Sequence, residues 1–462
     1  MLVTIIMVVI VLYMLINIGI GIYGRKHAST TDDFLTGGRT STIWMIIASG
    51  AGAHIGSGLI VGTAQNAASM GMIGVWYAIG CALSFVFHAL IMTRFIYRHN
   101  LVTFSDYFKT RYTGKFMVLL YSGFGPIAMA GSVGAQILAG KAIFEAFGID
   151  GNIGLTVMAV VVLIYTMFAG LWGSYTTAKF QMGVIIAGVL CGFAIMIHQG
   201  GFPVIHEFYP PEAFDLFNLP AEMLVMLIGP TILSTLVDQT SVQRANSAKT
   251  EKIAFWGHML GGIPCLIVGF IMAYLGMWAG ASYPEASSGS ALIVLMMNRF
   301  PAILCALLIA AILAAIMSTC SGCYIAADAM VVHDLYHGYI NKNATEKQMK
   351  NLNMGLNLLI TVLAIITAMK FNNIINLLSA TYTVALSGTL VPLLGGIVWK
   401  KATTKGAAAA AICGLGTNIL NMIGVLPLPF ASVFPVIPAL VAFIIVSLLT
   451  QPKTSEPAVE AK

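Results

Sequence analysis

The stretch Ser49-Gly50-Ala51-Gly52-Ala53-His54-Ile55-Gly56-Ser57-Gly58 lies in the middle of an apolar segment spanning residues 41–70. Glycine costs a helix interior about 1 kcal/mol relative to alanine, so four glycines around a histidine predict a break. Broken backbone at membrane depth survives only where it is buried in protein or lines a cavity. A second interruption, Gly229-Pro230 followed by Ser234 and Asp238-Gln239-Thr240, falls in the apolar segment 221–244. Each interrupted segment opens a block of five apolar spans. Five is odd, so the second block enters the membrane from the opposite side to the first. That is the layout of an inverted repeat with a binding site between broken helices.

The composition agrees. Of 462 residues, 58% are hydrophobic and 9% charged, against roughly a quarter charged in soluble proteins. So few charges cannot cover a water-facing surface, which excludes a soluble enzyme or a nucleic-acid binder. Apolar stretches of about 20 residues, each able to cross a bilayer as a helix, recur at 2–23, 41–70, 72–97, 116–145, 153–171, 174–197, 221–244, 254–279, 301–327, 352–370, 374–399, 406–424 and 429–449. The expected fold is an all-α polytopic membrane domain of about thirteen transmembrane helices. Residues 1–40 supply an extra N-terminal helix and a cytoplasmic loop. Residues 41–198 form the first repeat, 199–220 an external loop and 221–400 the second repeat. Two C-terminal helices (401–450) and a cytoplasmic tail (451–462) follow. The first span lacks a basic leader and a small-residue cleavage site, and reads as a retained helix rather than a signal peptide.

Charge sets the orientation. With the N-terminus outside and the C-terminus inside, all but Lys141, Arg299 and Lys370 of the 23 Lys and Arg residues fall on the cytoplasmic side, as the positive-inside rule requires. The seven cysteines lie in or beside apolar spans. Cys320 and Cys323 form a CxxC with no second pair or histidine nearby, so no disulfide framework, metal site or redox motif is expected.

Four stretches together resemble the sodium/solute symporter family, which includes sodium/proline, sodium/pantothenate and sodium/glucose transporters. They are Asp33-Phe34-Leu35-Thr36-Gly37-Gly38-Arg39; Ala53-His54-Ile55-Gly56-Ser57-Gly58; Asp238-Gln239-Thr240-Ser241-Val242-Gln243-Arg244 with Ser247-Ala248-Lys249; and Ala314-Ala315-Ile316-Met317-Ser318-Thr319 followed by Asp334-Leu335-Tyr336. The likeness runs from about residue 1 to 425. It implies a leucine-transporter-type five-plus-five inverted repeat with one extra N-terminal helix. It also implies a secondary transporter of the cell membrane that couples a small solute to sodium.

The resemblance places sodium ligands at the carbonyls of Gly52, Ile55 and Ala315 and the hydroxyls of Ser318 and Thr319. The spacing is compatible, since Ala315, Ser318 and Thr319 share one helix face; read alone, the two hydroxyls would simply bond back to their own helix. Two residues depart from the family pattern. Where many members have an acidic residue three positions before Gln181, this chain has Ala178, then Lys179. That lysine either snorkels to the headgroups or fills the ion pocket as a tethered cation, making a sodium-independent or proton-linked carrier. His54 stands where relatives often have Asp, Asn or Ser, and titrates in the range suited to a coupling proton. His88 and His258 lack that context and read as structural.

Asp238 is a functional candidate because a carboxylate at membrane depth is costly. Ser57, Gln136, Gln239, Thr381 and Tyr382 join it as substrate-binding candidates, and Trp76, Tyr77 and Ser387 fall on spans able to surround the same cavity. Counterparts of the glutamate and lysine that the family's sugar carriers use are absent, which leaves organic acids, amino acids or vitamin-like solutes. Rival readings are a channel, which would show pore motifs, and an intramembrane enzyme, for which His54 with Ser57 is the nearest catalytic pair. No resident cofactor is expected; sodium or a proton is the coupling ion, and the lipid bilayer is the partner.

Overall fold

The computed structural model describes residues 2–25, 39–287 and 289–451. Among these, eighteen α-helices run α1 (Leu2–Arg25), α2 (Ile43–His54), α3 (Thr63–Met70), α4 (Trp76–His88), α5 (Arg94–Arg98), α6 (Phe104–Arg111), α7 (Phe116–Ala146), α8 (Gly151–His198), α9 (Gly201–Phe208), α10 (Ala221–Thr235), α11 (Gln239–Ser247), α12 (Glu251–Ser282), α13 (Ala291–Arg299), α14 (Ala302–Asp328), α15 (Glu346–Ala368), α16 (Ile374–Val398), α17 (Thr404–Met422) and α18 (Val436–Leu449). No strand occurs among the described residues. Most of the first family-like stretch, residues 33–38, and the tail 452–462 lie outside the described residues.

Among the described residues, seven helical runs are long and apolar enough to cross a membrane, one of them the continuous stretch Gly58–Arg98, and eight if the bent pair α10 and α11 counts as one span. Shorter apolar helices, among them Val8–Ile20, Gly151–Met167 and Val436–Leu449, cover further expected segments. The expected spans 153–171 and 174–197 both fall within α8, which runs over 48 residues. The chain nevertheless doubles back within it. Tyr165 Oη lies 2.8 Å from Thr177 Oγ1, twelve residues on, and accepts from Gln181 Nε2 at 3.2 Å, sixteen residues on. A straight helix would hold those positions about 18 and 24 Å away. The segment expected as an external loop folds too. It contains α9 and a 3-10 turn, Pro211–Phe214, held down where Tyr209 Oη donates to Ala68 O and Trp76 Nε1 to Leu216 O, both at 2.6 Å.

The centre of the molecule is α14. Almost every side chain from Cys305 to Asp328 is buried, as befits a helix apolar on all sides. It packs against α8, α7, α1 and α2, and its run of alanines, Ala310, Ala311, Ala314 and Ala315, allows the close approach that membrane helix contacts favour. α7 packs against α15 and α16, and α12 against α2, α3 and α4. The two broken helices are thereby set around α14 and α7.

One end of the bundle is tied by ionic contacts. Arg111, at the end of α6, donates to the carbonyls of Gly396, Trp399 and Ala402 at 2.9–3.1 Å, satisfying acceptors that the end of α16 leaves open. Lys109 Nζ sits 3.1 Å from Asp106 and 3.8 Å from the buried Asp334. Burial works against the Lys109 ammonium, but Asp334 and Asp106 outweigh it and hold its pKa above the ordinary value. All seven cysteines are free.

Candidate functional site

The first break falls where the glycines predicted it. α2 ends at His54, Ile55 leaves helical geometry at ψ 57°, and helix resumes at Ser57 through a π-helical turn, Gly58–Gly62. The restart is fastened to α7: Ser57 N donates to Gln136 Oε1 at 2.6 Å and Ser57 Oγ to Ala135 O at 2.8 Å. Gln136 thus satisfies one of the donors that a helix start exposes. Gly56 is required by contact, since a Cβ there would stand 2.5 Å from Gln136 Oε1 and 2.7 Å from Thr319 Oγ1.

The second break separates α10 from α11, which meet at a 48° bend. Asp238 caps α11. Its Oδ2 accepts from Ser241 N at 2.9 Å and Ser241 Oγ at 2.8 Å, and from the Thr240 hydroxyl. Aspartate is a strong N-cap because it satisfies exposed helix donors and complements the helix dipole. Thr240 Oγ1 in turn accepts from Arg244 Nη1 at 2.9 Å. Arg244, counted with the loop charges in the sequence, is buried at 4% exposure and reaches Asp238 through this hydroxyl.

Between the first break and α14 lies a cluster of oxygens. Ser318 Oγ donates to Gly52 O at 2.6 Å and Ala315 O at 3.0 Å. Thr319 Oγ1 donates to Ala53 O at 3.1 Å and Ala315 O at 3.0 Å, with Gly52 O at 3.4 Å. The two hydroxyls bond back to their own helix and also cross to the broken one. Gly52, Ala315, Ser318 and Thr319 therefore come together as expected. Ala53 joins them unforeseen, while the Ile55 carbonyl takes no hydrogen bond from these hydroxyls.

Beside the cluster opens a cavity with about 90 Å³ for the centres of water-sized spheres. One water needs roughly 10–15 Å³ by that measure, so the space suits a small solute. Its walls include His54, Gly56, Tyr77, Ser132, Gln136, Asp238, Gln239, Thr319, Thr381 and Tyr382. No lysine or arginine is among the lining residues. α7 contributes Gly125, Ala128, Ser132 and Gln136, and α16 contributes Leu378, Thr381, Tyr382 and Ala385.

The expected substrate residues divide. Tyr77 and Tyr382 line the cavity. Thr381 lines it while bonding back to Leu377 O at 2.8 Å. Gln239 borders it with both polar ends engaged, accepting from Tyr121 Oη at 2.9 Å and donating to Val102 O at 2.8 Å. Ser57 is turned into α7, Trp76 holds the 199–220 segment, and Ser387 is buried against its own helix. His54 packs against Phe85 with ring centroids 4.5 Å apart and planes tilted by 55°, and faces Gly50 O at 3.3 Å through Nδ1; it does not pair with Ser57. Lys179 is exposed on the face shared by Gly183, Ile186 and Leu190, whereas Ala178, Met182 and Ile185 face inward. A Cβ on Gly52 would meet Met182 Cε at 3.7 Å, so a thioether rather than an ammonium neighbours the oxygen cluster, and the tethered-cation alternative is set aside.

Ser132 and Thr235, on the cavity wall, are not singled out by the sequence, while Ser234 reads only as part of the second interruption and Arg244 only as a family-like and loop charge. The α7 and α16 wall residues recur at helical spacing, the signal that marks one face.

A helical membrane domain with two broken helices around an oxygen cluster and a solute-sized cavity defines a secondary transporter. Solved structures of similar fold are transporters. A Na+-coupled sialic acid symporter in a substrate-bound outward-open state matches with a TM-score of 0.83 at 16% identity, over 97% of this chain and 98% of that one. Mhp1, a nucleobase-cation-symport-1 family transporter in a closed conformation with bromovinylhydantoin bound, matches with a TM-score of 0.60 at 14% identity, over 91% and 96%. A sodium/proline symporter of Staphylococcus aureus (strain NCTC 8325 / PS 47) is 26% identical across 97% of this chain and 93% of the relative. The sodium:solute symporter family matches residues 34–414, and the chain belongs to that family. It is a multi-pass membrane protein and a sodium-coupled symporter working by alternating access, not an enzyme.

Proposed function

We propose that the chain carries a small amino acid together with sodium. In this reading the ion is held by the carbonyls of Gly52, Ala53, Ile55 and Ala315 and the hydroxyls of Ser318 and Thr319. A hard monovalent ion takes several oxygen ligands at once, and the grouping of hydroxyls with broken-helix carbonyls supports this donor set. The solute occupies the adjoining cavity. The observation that carries the solute class is the lining: it has the Asp238 carboxylate and no lysine or arginine. Arg244 is held behind Thr240 Oγ1 rather than on the wall, so an organic anion would meet the Asp238 carboxylate with no cation in direct reach, whereas a zwitterion presents its ammonium to Asp238 and its carboxylate to the hydroxyls of Tyr77, Tyr382 and Ser132. His54, in the break and on the cavity wall, is the coupling-sensitive neighbour.

The accompanying topology is thirteen spans, with the N-terminus outside and the C-terminus in the cytoplasm. Spans two to eleven form the five-plus-five repeat, and span one is the extra helix. The charge bias of the loops supports the orientation. The test is a thermal-shift series on the purified protein in sodium or potassium. Small amino acids are compared with matching carboxylic acids lacking the amine and with matching amines lacking the carboxylate. A ligand of the folded state raises apparent stability by mass action. Sodium-dependent stabilisation by amino acids alone is expected; equal stabilisation by the amine-free acids would refute the assignment to Asp238.

A further inference from the structure

Beyond the oxygen cluster, nine residues after Thr319 and so about 14 Å along the helix, α14 ends on a carboxyl with no basic partner among the described residues. Asp328 is 5% exposed. Its Oδ2 receives one long bond, 3.5 Å, from Asn357 Nδ2 on α15, and its Oδ1 has no partner. Asn357 is likewise 5% exposed, and its Oδ1 is unpaired. So is Oδ1 of Asn353, four residues earlier and hence one turn away on the same face of α15. The two helices run antiparallel here: Tyr324 Oη meets Thr361 Oγ1 at 2.5 Å, Asp328 meets Asn357 one turn on, and Asn353 follows. None of the three residues lines the solute cavity.

Buried polar atoms are nearly always satisfied, and here three acceptor oxygens lack a donor. A bare carboxylate in such a place is strongly disfavoured. A proton on Asp328 would supply one hydrogen. A desolvated monovalent cation engages several oxygens together, and one carboxylate with two amide carbonyls is a hard-oxygen donor set of the kind it takes. The Asn357 amide can turn its oxygen to such an ion by a flip that exchanges O and N. We propose that Asp328, Asn357 and Asn353 form a second sodium site, separate from the Ser318 and Thr319 cluster.

The test is equilibrium binding of radioactive sodium to the purified full-length protein, with melting in choline medium as the check on folding. Wild type is compared with Asp328→Asn, Asn357→Leu and the Ser318→Ala/Thr319→Ala pair. Asp328→Asn preserves shape and removes the charge; Asn357→Leu keeps the charge and removes an amide oxygen. Each is expected to lose one equivalent of bound sodium relative to wild type. The Ser318→Ala/Thr319→Ala pair is expected to lose a different equivalent, so combining it with Asp328→Asn should remove both. The two sites therefore stand or fall separately. Wild-type sodium stoichiometry in both Asp328→Asn and Asn357→Leu would overturn the proposal, leaving the carboxyl to hold a proton at most.

Discussion

Replacing Gly56 with alanine tests the construction of the first break. The added methyl would sit 2.5 Å from Gln136 Oε1 and 2.7 Å from Thr319 Oγ1. Neither atom is a loose end. Gln136 Oε1 accepts from Ser57 N, and Thr319 Oγ1 donates to Ala53 O and Ala315 O. Overpacking of this kind costs about 1–3 kcal/mol, and loss of the Ser57 bond adds about 1 kcal/mol. If about 1.4 kcal/mol of that falls on the ion-bound form, sodium half-saturation rises about tenfold. Gly52→Ala, four residues away on α2, is the control. Its methyl would meet Met182 Cε at 3.7 Å and Ser318 Oγ at 3.8 Å, ordinary contact distances, and alanine in place of a helical glycine gains up to about 1 kcal/mol. Melting of the purified protein and sodium-dependent uptake into liposomes report the two effects. Gly56→Ala should melt lower and need more sodium, and Gly52→Ala should do neither. A wild-type sodium response and melting temperature in Gly56→Ala, or equal damage from Gly52→Ala, would refute the reasoning.

Lys179→Ala should leave the sodium dependence of uptake unchanged, because Lys179 lies on the exposed face of α8; a shift in sodium half-saturation would return it to the ion pocket. Arg111→Ala strips the carbonyls of Gly396, Trp399 and Ala402 of their donor and should lower stability by about 1–3 kcal/mol, visible as a lower melting temperature with unaltered sodium affinity. Asp238→Asn keeps a competent helix cap but removes the cavity's carboxylate. Folding should persist while amino-acid uptake falls at least tenfold, and undiminished uptake would contradict the role given to that charge.

The first break was legible in the sequence because its glycines act through the backbone, whose preferences are local; in the second segment Gly229 and Pro230 lie inside α10, and the break comes later, at Leu236–Asp238. The grouping of Ala315, Ser318 and Thr319 was legible because helical spacing puts them on one face. Other features depended on which neighbour a side chain meets. Ser57 and Gln239 are polar residues at the right depth, yet Ser57 turns into α7 and Gln239 is spent on Tyr121 and Val102. Trp76 reads as a cavity aromatic and serves instead to hold Leu216. Arg244 reads as a loop charge next to Ser247 and Lys249, but the bend before α11 carries it inside, against Thr240. The reversal within α8 falls where the sequence separates the spans 153–171 and 174–197, and Tyr165 meets Thr177 and Gln181 across it. Lys179 was ambiguous because its neighbour Ala178 is buried and it is not; a hundred degrees of helix rotation separates the two readings.

The most direct test of the ion assignment is the sodium half-saturation of solute uptake for Ser318→Ala/Thr319→Ala against wild type, measured in liposomes with melting temperature as the control. These hydroxyls are two of the oxygens assigned to the ion. The account predicts uptake that needs at least tenfold more sodium, or is lost, in a protein that melts within a few degrees of wild type. An unchanged sodium response in the double variant would contradict it.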